Sequence, residues 1–258
     1  MSAPQTIIRA EGLNKSFGSV QPARNVTVHI VERSVIGLIG TNGAGKTTFV
    51  NMLTGYIKPD TGHIYFRNRE ITGQAPRKIT RLGIARSFQI PQLFTSLTAR
   101  ENIEIALSVA GLPLDHADAG LARLGVLEFA DMNVGLLPEG VRKLLDIALA
   151  MVGKPEVLLL DEPTSGVAAE EKFDVMDRVL HAAREMGVTV LFVEHDMEIV
   201  RRYSDRVLAF YDGAILADGE PQAVLADAKV REFIIGEEVA AVTHPHHATQ
   251  SAEGAAHA

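Results

Sequence analysis

Residues 36–53 read IGLIGTNGAGKTTFVNML, and this segment gives the strongest indication of the fold. An apolar strand ends at Gly40, a loop of the form G-x-x-x-x-G-K-[ST] runs to Thr47, and helical spacing follows from Lys46 to Leu53. Glycines let the N–H groups of such a loop wrap closely around phosphate oxygens, and the N-terminus of the helix adds partial positive charge. Because strand, loop and helix follow in this order, the pattern indicates a phosphate-binding loop rather than an ordinary glycine-rich turn.

The loop predicts binding of a nucleoside triphosphate together with magnesium. We expect the Lys46 ammonium to contact the β- and γ-phosphates and the Thr47 hydroxyl to bind Mg²⁺. The expected nucleotide-binding set extends along the loop and into the first turn of the helix. Its members are Gly40, Asn42, Gly43, Ala44, Gly45, Lys46, Thr47 and Thr48.

Two later apolar segments also end in polar side chains. Residues 157–160 lead into Asp161 and Glu162, and residues 188–193 end just before a second acidic residue and His195. Ligands bind at the carboxyl ends of strands in open α/β sheets. We therefore expect Asp161 to hold Mg²⁺ through water, Glu162 to orient or deprotonate an attacking water, and His195 to bridge that water and the γ-phosphate. The alternatives are solvated acids at a strand end, and a histidine of the core or surface.

Strand-like and helix-like segments alternate along the chain and predict an α/β protein. Roughly the first 70 residues are rich in strands and turns, residues 90–152 are mostly helical, and strands return after residue 156. Alternating strands and helices form parallel sheets covered on both faces, so the helical middle is interpreted as an insertion. Apolar spacing predicts helices over residues 101–109, 117–129, 144–151 and 170–186, and a hairpin around Asp212-Gly213.

Composition excludes several classes of protein. The 258 residues include 25 Lys and Arg against 32 Asp and Glu, a net charge of −7, which argues against a surface for nucleic acid or anionic lipid. Cysteine is absent, so disulfides and cysteine-bound metals are impossible. No apolar run reaches the roughly 18 residues of a membrane span, and the N-terminus has no signal-peptide pattern, so we expect a cytoplasmic chain.

The last residues, 242–258, are expected to be a disordered tail after a domain that covers residues 1–241. They contain Ala, His, Thr and Gln without periodicity. His244, His246 and His247 lack the acidic or cysteine ligands that would complete a metal site, so a solvated tail is the preferred interpretation.

Two further motifs, Ser87-Phe88-Gln89 and Lys15-Ser-Phe-Gly18, complete the pattern. Together with the motifs above, they resemble the ATP-binding subunit of ABC transporters over residues 6–236. The resemblance implies a P-loop NTPase (RecA-like) core with an N-terminal antiparallel β subdomain and a helical subdomain inserted at about residues 90–152. It also implies that ATP and Mg²⁺ are the cofactors.

The resemblance assigns roles to two more side chains. Gln89 is expected to contact Mg²⁺ and water, to act with Glu162 and His195 in catalysis, and to sense a membrane partner. Phe17 is expected to stack on adenine, a contact that tolerates any base because every base has a π face. The alternative for Phe17 is a core residue at the end of a strand.

Four short motifs are most similar to the branched-chain amino-acid importer group, whose relatives import urea, short amides or aromatic acids. They are RSFQ at 86–89, LPEG at 137–140, VEHDM at 193–197 and FIIG at 233–236. The resemblance implies ATP hydrolysis coupled to uptake of branched-chain amino acids or a related small polar solute. It implies three kinds of partner: a second ABC ATPase subunit, identical or different, two transmembrane permease subunits, and a periplasmic or extracellular solute-binding protein. The chain would lie on the inner face of the membrane, without nucleic acid.

Two motifs depart from the family pattern. Leu137-Pro138-Glu139-Gly140-Val141 replaces the signature L-S-G-G-Q, and Ser165-Gly-Val-Ala168 replaces S-A-L-D. In the family, each ATP lies between the phosphate loop of one subunit and the signature of its partner. The departures remove a serine hydroxyl and, at Pro138, an N–H donor. These departures affect one of the two ATP sites and leave this chain's own phosphate loop intact. The carboxylate of Glu139 either points away from the affected site or repels the phosphate there.

Two alternative functions remain open. The altered signature favours a catalytically weak, regulatory ATPase partner in a heterodimer, although Glu162 and His195 argue against it. A soluble, non-transport ABC ATPase acting on DNA or ribosomes is disfavoured by the negative charge and by the lack of a long coiled coil or second cassette. A GTPase is disfavoured because Asn14-Lys15 lacks the following Asp.

A basic stretch precedes the glutamine motif. It consists of Arg77, Lys78, Arg81 and Arg86. We expect these basic side chains to form a solvated face. The alternative is that they contact acidic helices of a membrane partner.

Overall fold

Two β-sheets and the helices around them organise residues 5–236, the part of the chain that this computed structural model describes. The strands are β1 (Thr6–Phe17), β2 (Val20–Val31), β3 (Val35–Gly40), β4 (Thr61–Phe66), β5 (Arg69–Glu70), β6 (Ile84–Arg86), β7 (Val157–Asp161), β8 (Thr189–Val193), β9 (Arg206–Tyr211) and β10 (Ala214–Gly219). The helices are α1 (Lys46–Leu53), α2 (Pro76–Leu82), α3 (Ala99–Ala110), α4 (Ala117–Arg123), α5 (Glu139–Met151), α6 (Lys172–Glu185), α7 (Met197–Tyr203), α8 (Pro221–Ala226) and α9 (Ala228–Val230). The expected tail, 242–258, lies outside the described residues.

The larger sheet has the strand order β10-β9-β3-β8-β7-β6. Its strands are parallel except for β10, which pairs antiparallel with β9. Val193, the last residue of β8, lies opposite Leu38 of β3 and Asp161 of β7. The carboxyl ends of these three strands therefore meet at one edge of the sheet, where the loop after Gly40 begins.

Side-chain alternation explains why the central strands are apolar throughout. In β7, Leu158 and Leu160 join the core that helices α3 to α9 also line, whereas Val157 and Leu159 join the core beneath the smaller sheet. A strand buried on both faces reads as an unbroken apolar run. The predicted parallel sheet with both faces covered is confirmed.

The smaller sheet is antiparallel, with the order β2-β1-β4-β5. Its inner side chains, such as Ile8 and Ile64, share a core with Phe49 of α1. This is the expected N-terminal antiparallel unit. The hairpin between β9 and β10 is also confirmed: Asp212 and Gly213 have φ of 47° and 78°, as a tight I′ turn requires.

The helical middle differs from expectation in one place. The helix predicted over residues 117–129 ends at Arg123, and Gly125 follows with φ of 68°. A short 3₁₀ turn, Leu127–Phe129, completes the segment. Apolar spacing persists through this break because both pieces cover the same core, so periodicity alone did not reveal the turn. The boundary of the helical subdomain at residues 90–152 stays a prediction.

No helix within residues 5–236 is long and apolar enough to cross a membrane. The longest described helix, α6, has 14 residues and carries charges on its exposed face.

Gly37 in β3 sets how closely α7 approaches the central sheet, and it yields a stability prediction. A Cβ at this position would lie 2.5 Å from Ser204 Oγ and 3.2 Å from Val200 Cγ1. We expect Gly37→Ala to lower the free energy of unfolding by about 1–3 kcal/mol through overpacking. Urea denaturation measures this change.

Gly153→Ala is the matched control, because a Cβ there meets nothing within 4 Å. It should leave stability unchanged or raise it by about 0.5 kcal/mol. Equal stabilities for the two variants would contradict the close packing of α7 on β3.

Candidate nucleotide-binding site

The loop between β3 and α1 adopts a conformation that its glycines permit. Gly43 and Gly45 have φ of 80° and 109°, the left-handed region that other residues rarely adopt. A Cβ at Gly45 would collide with the carbonyl oxygen of Pro22, whereas a Cβ at Gly43 would meet nothing within 4 Å. One glycine thus permits close packing on β2, and the other leaves the open face of the loop free for a ligand.

Lys46 begins α1 and is only 6% exposed. Its Nζ donates to the carbonyl oxygens of Gly40 at 2.6 Å and Thr41 at 3.1 Å. Burial lowers the pKa of the ammonium, while the carboxylates of Glu162 and Asp161 counteract this shift. The first N–H groups of a helix have no partner within the helix, so the N-terminus of α1 and this ammonium together suit a bound anion.

A cleft of about 300 Å³ lies above this loop. Its lining brings the loop together with residues from three other parts of the chain. The lining residues are Phe17, Val20, Pro22, Asn42, Gly43, Ala44, Gly45, Lys46, Thr47, Thr48, Glu162, Val193 and His195. Gly40, Gln89 and Asp161 do not line it. Gly40 is buried at the end of β3.

Phe17 stands at the rim of the cleft, at the end of β1. The residue is 51% exposed, which excludes the alternative of a core phenylalanine. The Nζ of Lys15 lies 5.3 Å from the centre of its ring. An exposed aromatic face beside a cation is suited to stacking on a planar base.

Glu162 connects the cleft to the glutamine motif and to β8. Its Oε2 accepts a hydrogen bond from Gln89 Nε2 at 2.7 Å, and its Oε1 lies 3.1 Å from His195 Nε2. Its backbone N–H donates to Val193 O at 3.0 Å. The three predicted catalytic side chains therefore form one hydrogen-bonded group.

The backbone of Glu162 is strained. Its φ is 49°, in the left-handed region that costs a non-glycine residue of order 1–3 kcal/mol. Such strain persists only where the surroundings hold the residue, and it concentrates at functional sites. Here the hydrogen bonds to Gln89, His195 and Val193 hold it.

Asp161 pairs with a residue whose role the sequence did not reveal. Arg86 donates to Asp161 Oδ2 at 2.6 Å and to Asn51 Oδ1 at 2.5 Å. The expectation that Arg86 lies on a solvated face is wrong: its side chain is 8% exposed. Arg86 is the last residue of β6, which runs beside β7, so its side chain reaches the same sheet edge as Asp161. The other members of the basic stretch, Arg77, Lys78 and Arg81, are exposed.

Glu194, which precedes His195, also escaped the sequence interpretation. It is 4% exposed and accepts hydrogen bonds from the Thr164 N–H at 3.0 Å and the Thr164 hydroxyl at 2.6 Å. It also accepts from the His195 N–H at 3.1 Å. Glu194 thus ties the segment after Glu162 to the end of β8. A carboxylate directly after a buried strand was the only indication of this role.

Two more residues not expected from the sequence, Lys143 and Asp146, are buried on α5 behind the glutamine motif. They are 2% and 6% exposed. Burial lowers the pKa of Lys143, against the opposing effect of carboxylates that include Asp146. Burial raises the pKa of Asp146, and hydrogen bonds from the N–H groups of Gln92 and Phe88 act against this shift.

The two departures from the family pattern lie against each other. Pro138 is the N-cap of α5 and offers no side-chain cap. Glu139 Oε2 accepts from Arg142 at 2.5 Å, so its charge is paired on its own helix. A Cβ at Gly166, which has φ of 79°, would lie 3.5 Å from Glu139 Cγ. The segment 165–168, which begins with Ser165 and ends with Ala168, therefore forms one surface with the altered signature.

The oxygen-rich side chains near the loop suit magnesium. Among residues 5–236, no three His, Asp or Glu side chains gather into a metal site made by protein alone. Mg²⁺ usually keeps waters and phosphate oxygens and takes only one or two protein ligands, which are oxygens. The hydroxyl of Thr47, in the lining of the cleft, and the carboxylate of Asp161 have that chemistry.

The Arg86–Asp161 pair yields a prediction. Removing one partner of a buried ion pair leaves the other charge uncompensated, so Arg86→Met should lower the free energy of unfolding by about 3–5 kcal/mol. Urea denaturation of the purified chain measures it. Arg24→Met is the control, because the side chains of Arg24 and Asp212 are 47% and 63% exposed and such pairs contribute less than about 1 kcal/mol. Similar losses in both variants would contradict a buried structural role for Arg86.

Comparison with known proteins agrees with this geometry. The sequence profile of a family described as ABC transporter matches residues 23–165. The chain is 34% identical over 252 residues to the high-affinity branched-chain amino acid transport ATP-binding protein LivG of Salmonella typhimurium, covering 90% of this chain and 99% of that protein. It is 35% identical over 256 residues to the corresponding protein BraF of Pseudomonas aeruginosa, covering 92% and 100%.

The fold comparison gives the same result. The crystal structure of the ADP conformation of MJ1267, an ATP-binding cassette of an ABC transporter, superposes with a TM-score of 0.84 at 33% identity, covering 90% of this chain and 100% of that one. A nucleotide-free ATP-binding cassette from an ABC transporter gives 0.82 at 32% identity, covering 89% and 98%. The predicted P-loop NTPase fold is confirmed, and the chain belongs to the ABC transporter family.

Proposed function

We propose that this chain is the ATP-binding and hydrolysing subunit of an ABC importer. It couples ATP hydrolysis to uptake of branched-chain amino acids or a related small polar solute. The observation that carries the proposal is the Glu162 carboxylate, held between Gln89 and His195 at a cleft lined by the phosphate loop. The names of the LivG and BraF relatives support the transport role and the class of solute.

The cleft accommodates ATP along its length. The loop amides and Lys46 face the phosphates, and Phe17 at the rim stacks on adenine. Thr47, Asp161 and Gln89 would hold Mg²⁺ beside the phosphates. When bound, this ion neutralises negative charge on the phosphates.

The hydrolytic step uses the group around Glu162. A carboxylate has about four lone-pair sites, so the hydrogen bonds to Gln89 and His195 leave room for a water. The oxygen of that water attacks the γ-phosphorus while Glu162 takes a proton from the water. The bond between the γ-phosphorus and the oxygen that bridges it to the β-phosphate breaks, which yields ADP and phosphate. His195 orients the carboxylate and contacts the γ-phosphate. The proton then passes from Glu162 to solvent.

Transport requires partners. A second ABC ATPase subunit, identical or different, places its signature over this chain's ATP, and two permease subunits and a solute-binding protein complete the importer. The chain associates peripherally with the inner face of the membrane, without nucleic acid. Closure of the two ATPase subunits around ATP, and release after hydrolysis, is a two-state change that the γ-phosphate biases.

The intact group at Glu162 also bears on the alternative of a weak, regulatory ATPase partner. That alternative draws only on the altered signature, which would face the partner's ATP. The residues that act on this chain's own ATP are complete. The chain therefore hydrolyses ATP at its own loop, and any weakness belongs to the opposite site.

Glu162→Gln tests the proposed hydrolysis. The amide cannot accept the proton, so turnover of ATP with magnesium should fall by roughly 10²–10⁴, the range for a lost general base. Affinity for ATP should stay the same, because Glu162 is not a phosphate ligand. Radiolabelled phosphate release measures turnover, and a filter assay measures binding. Full turnover in this variant would remove Glu162 from the mechanism, and a wild-type chain that binds no ATP would end the proposal.

Pro138→Ser tests the altered signature. Serine supplies a hydroxyl at the N-cap of α5, where one added hydrogen bond should tighten ATP-dependent dimerisation by roughly tenfold. Pro138→Ala is the matched control for loss of the proline ring, because it removes the ring without adding the hydroxyl. Sedimentation with ATP in the Glu162→Gln background compares the two. Equal dimer affinities would show that this position does not face the partner's phosphate.

A further inference from the structure

The helix α5 holds the backbone of the glutamine motif through a buried lysine. Lys143 Nζ donates to the carbonyl oxygen of Gln89 and lies 3.4 Å from the carbonyl oxygen of Glu162. The side chains of those two residues are hydrogen-bonded to each other at 2.7 Å. One ammonium therefore binds the main chains of both members of the pair and closes a ring of contacts around it.

Asp146 holds the same segment from one helical turn further along α5. Its Oδ2 accepts from the Phe88 N–H at 3.3 Å, and its Oδ1 accepts from the Gln92 N–H at 3.0 Å. Residues three apart lie on the same face of a helix, so Lys143 and Asp146 act on the segment side by side. The carboxylate holds residues on both sides of Gln89, and the ammonium holds Gln89 itself.

These contacts do more than satisfy buried charges. A buried charge is tolerated only when it is paired and hydrogen-bonded. Apolar residues of similar volume would fill the same space on α5 and bind nothing. The partners of Lys143 and Asp146 are main-chain groups of the two segments that carry Gln89 and Glu162. Their common effect is to set where those two side chains stand.

We propose that Lys143 and Asp146 are positioning residues for the Gln89–Glu162 pair, and that they link this pair to the N-terminus of α5. The proposal rests on the proposed function, and it names a regulation of the same site. Glu139 and Gly140 begin the helix about one turn before Lys143. Any shift of α5 when a partner subunit docks on its N-terminus moves the ammonium and the carboxylate together. The ATP of the partner thereby influences the geometry of hydrolysis in this chain.

Hydrogen exchange in the full-length chain tests the positioning without reference to ATP. In Asp146→Asn, one acceptor oxygen becomes a donor, so the amides of Phe88 and Gln92, which donate to this carboxylate, should exchange roughly tenfold faster. Exchange within α5 and β7 should not change, which separates a local effect from general loosening. Unchanged exchange at Phe88 and Gln92 would overturn the proposal, and so would an equal acceleration throughout the chain.

Kinetics of Lys143→Met test the consequence for hydrolysis. Methionine keeps the stem and removes the charge, so kcat should fall by roughly 10- to 100-fold with KM for ATP unchanged, as a small misplacement of reacting groups does. Lys143→Arg should restore most of the rate. Lys229→Met, at an exposed lysine of α9, is the control for loss of a charge and should hydrolyse ATP normally.

A double-mutant cycle separates positioning from a purely structural role. If Lys143 acts through Glu162, adding Lys143→Met to Glu162→Gln causes no further loss in single-turnover hydrolysis. If the rate losses of the two single variants multiply in the double variant, the proposal is overturned. A wild-type chain that hydrolyses no ATP even when assembled with its partner subunits would refute the proposed function and the kinetic consequence, whereas the exchange experiment would still decide whether α5 positions residues 88–92.

Discussion

The parallel alignment of β3, β8 and β7 brings the phosphate loop, Glu162 and His195 to one edge of the larger sheet. Val193 lies opposite both Leu38 and Asp161, so three strands end at one sheet edge. Parallel strands require crossover connections, and the segment between the phosphate loop and Glu162 also contains β4 to β6 and the helical middle, so more than a hundred residues separate the two. These strands are apolar on both faces because each face of the sheet packs against a hydrophobic core.

Around that edge, the structure gathers charges that are costly to bury and gives each one partners. Asp161 has Arg86, and Glu194 has three donors. Lys46 has the carbonyls of its own loop. Such groups contribute little net stability, because the free-energy cost of removing a charge from water offsets most of its attraction to its partner. They leave each side chain a single well-defined orientation, and catalysis benefits from groups that need no reorganisation during the reaction.

The strained backbone of Glu162 fits the same principle. A φ of 49° directs the residue after the end of β7 away from a regular path, and hydrogen bonds with two other segments, at Gln89 and at residues 193–195, hold it there. The buried pair on α5 extends this support from the helix that begins with the altered signature. Support for the reacting group therefore comes from the same helix that the proposed partner would contact, as the proposed link between assembly and hydrolysis requires.

Three features were predicted from the sequence alone: the phosphate loop, the order of strands and helices, and the polar residues at the strand ends. These features are local: glycine conformations, side-chain periodicity and the residues next to each strand. The sequence also indicated His195 through its place at the end of a strand, and Phe17 and Gln89 through the family resemblance. The partners of Arg86, Glu194, Lys143 and Asp146 are visible only in the tertiary structure. The same holds for the proximity of Glu139 to Gly166. Each of these depends on which segments lie side by side, and the chain separates Arg86 from Asp161 by 75 positions. A charged residue in a helix or at a strand end looks the same in sequence whether it faces solvent or a buried partner, because its environment is supplied by another part of the chain.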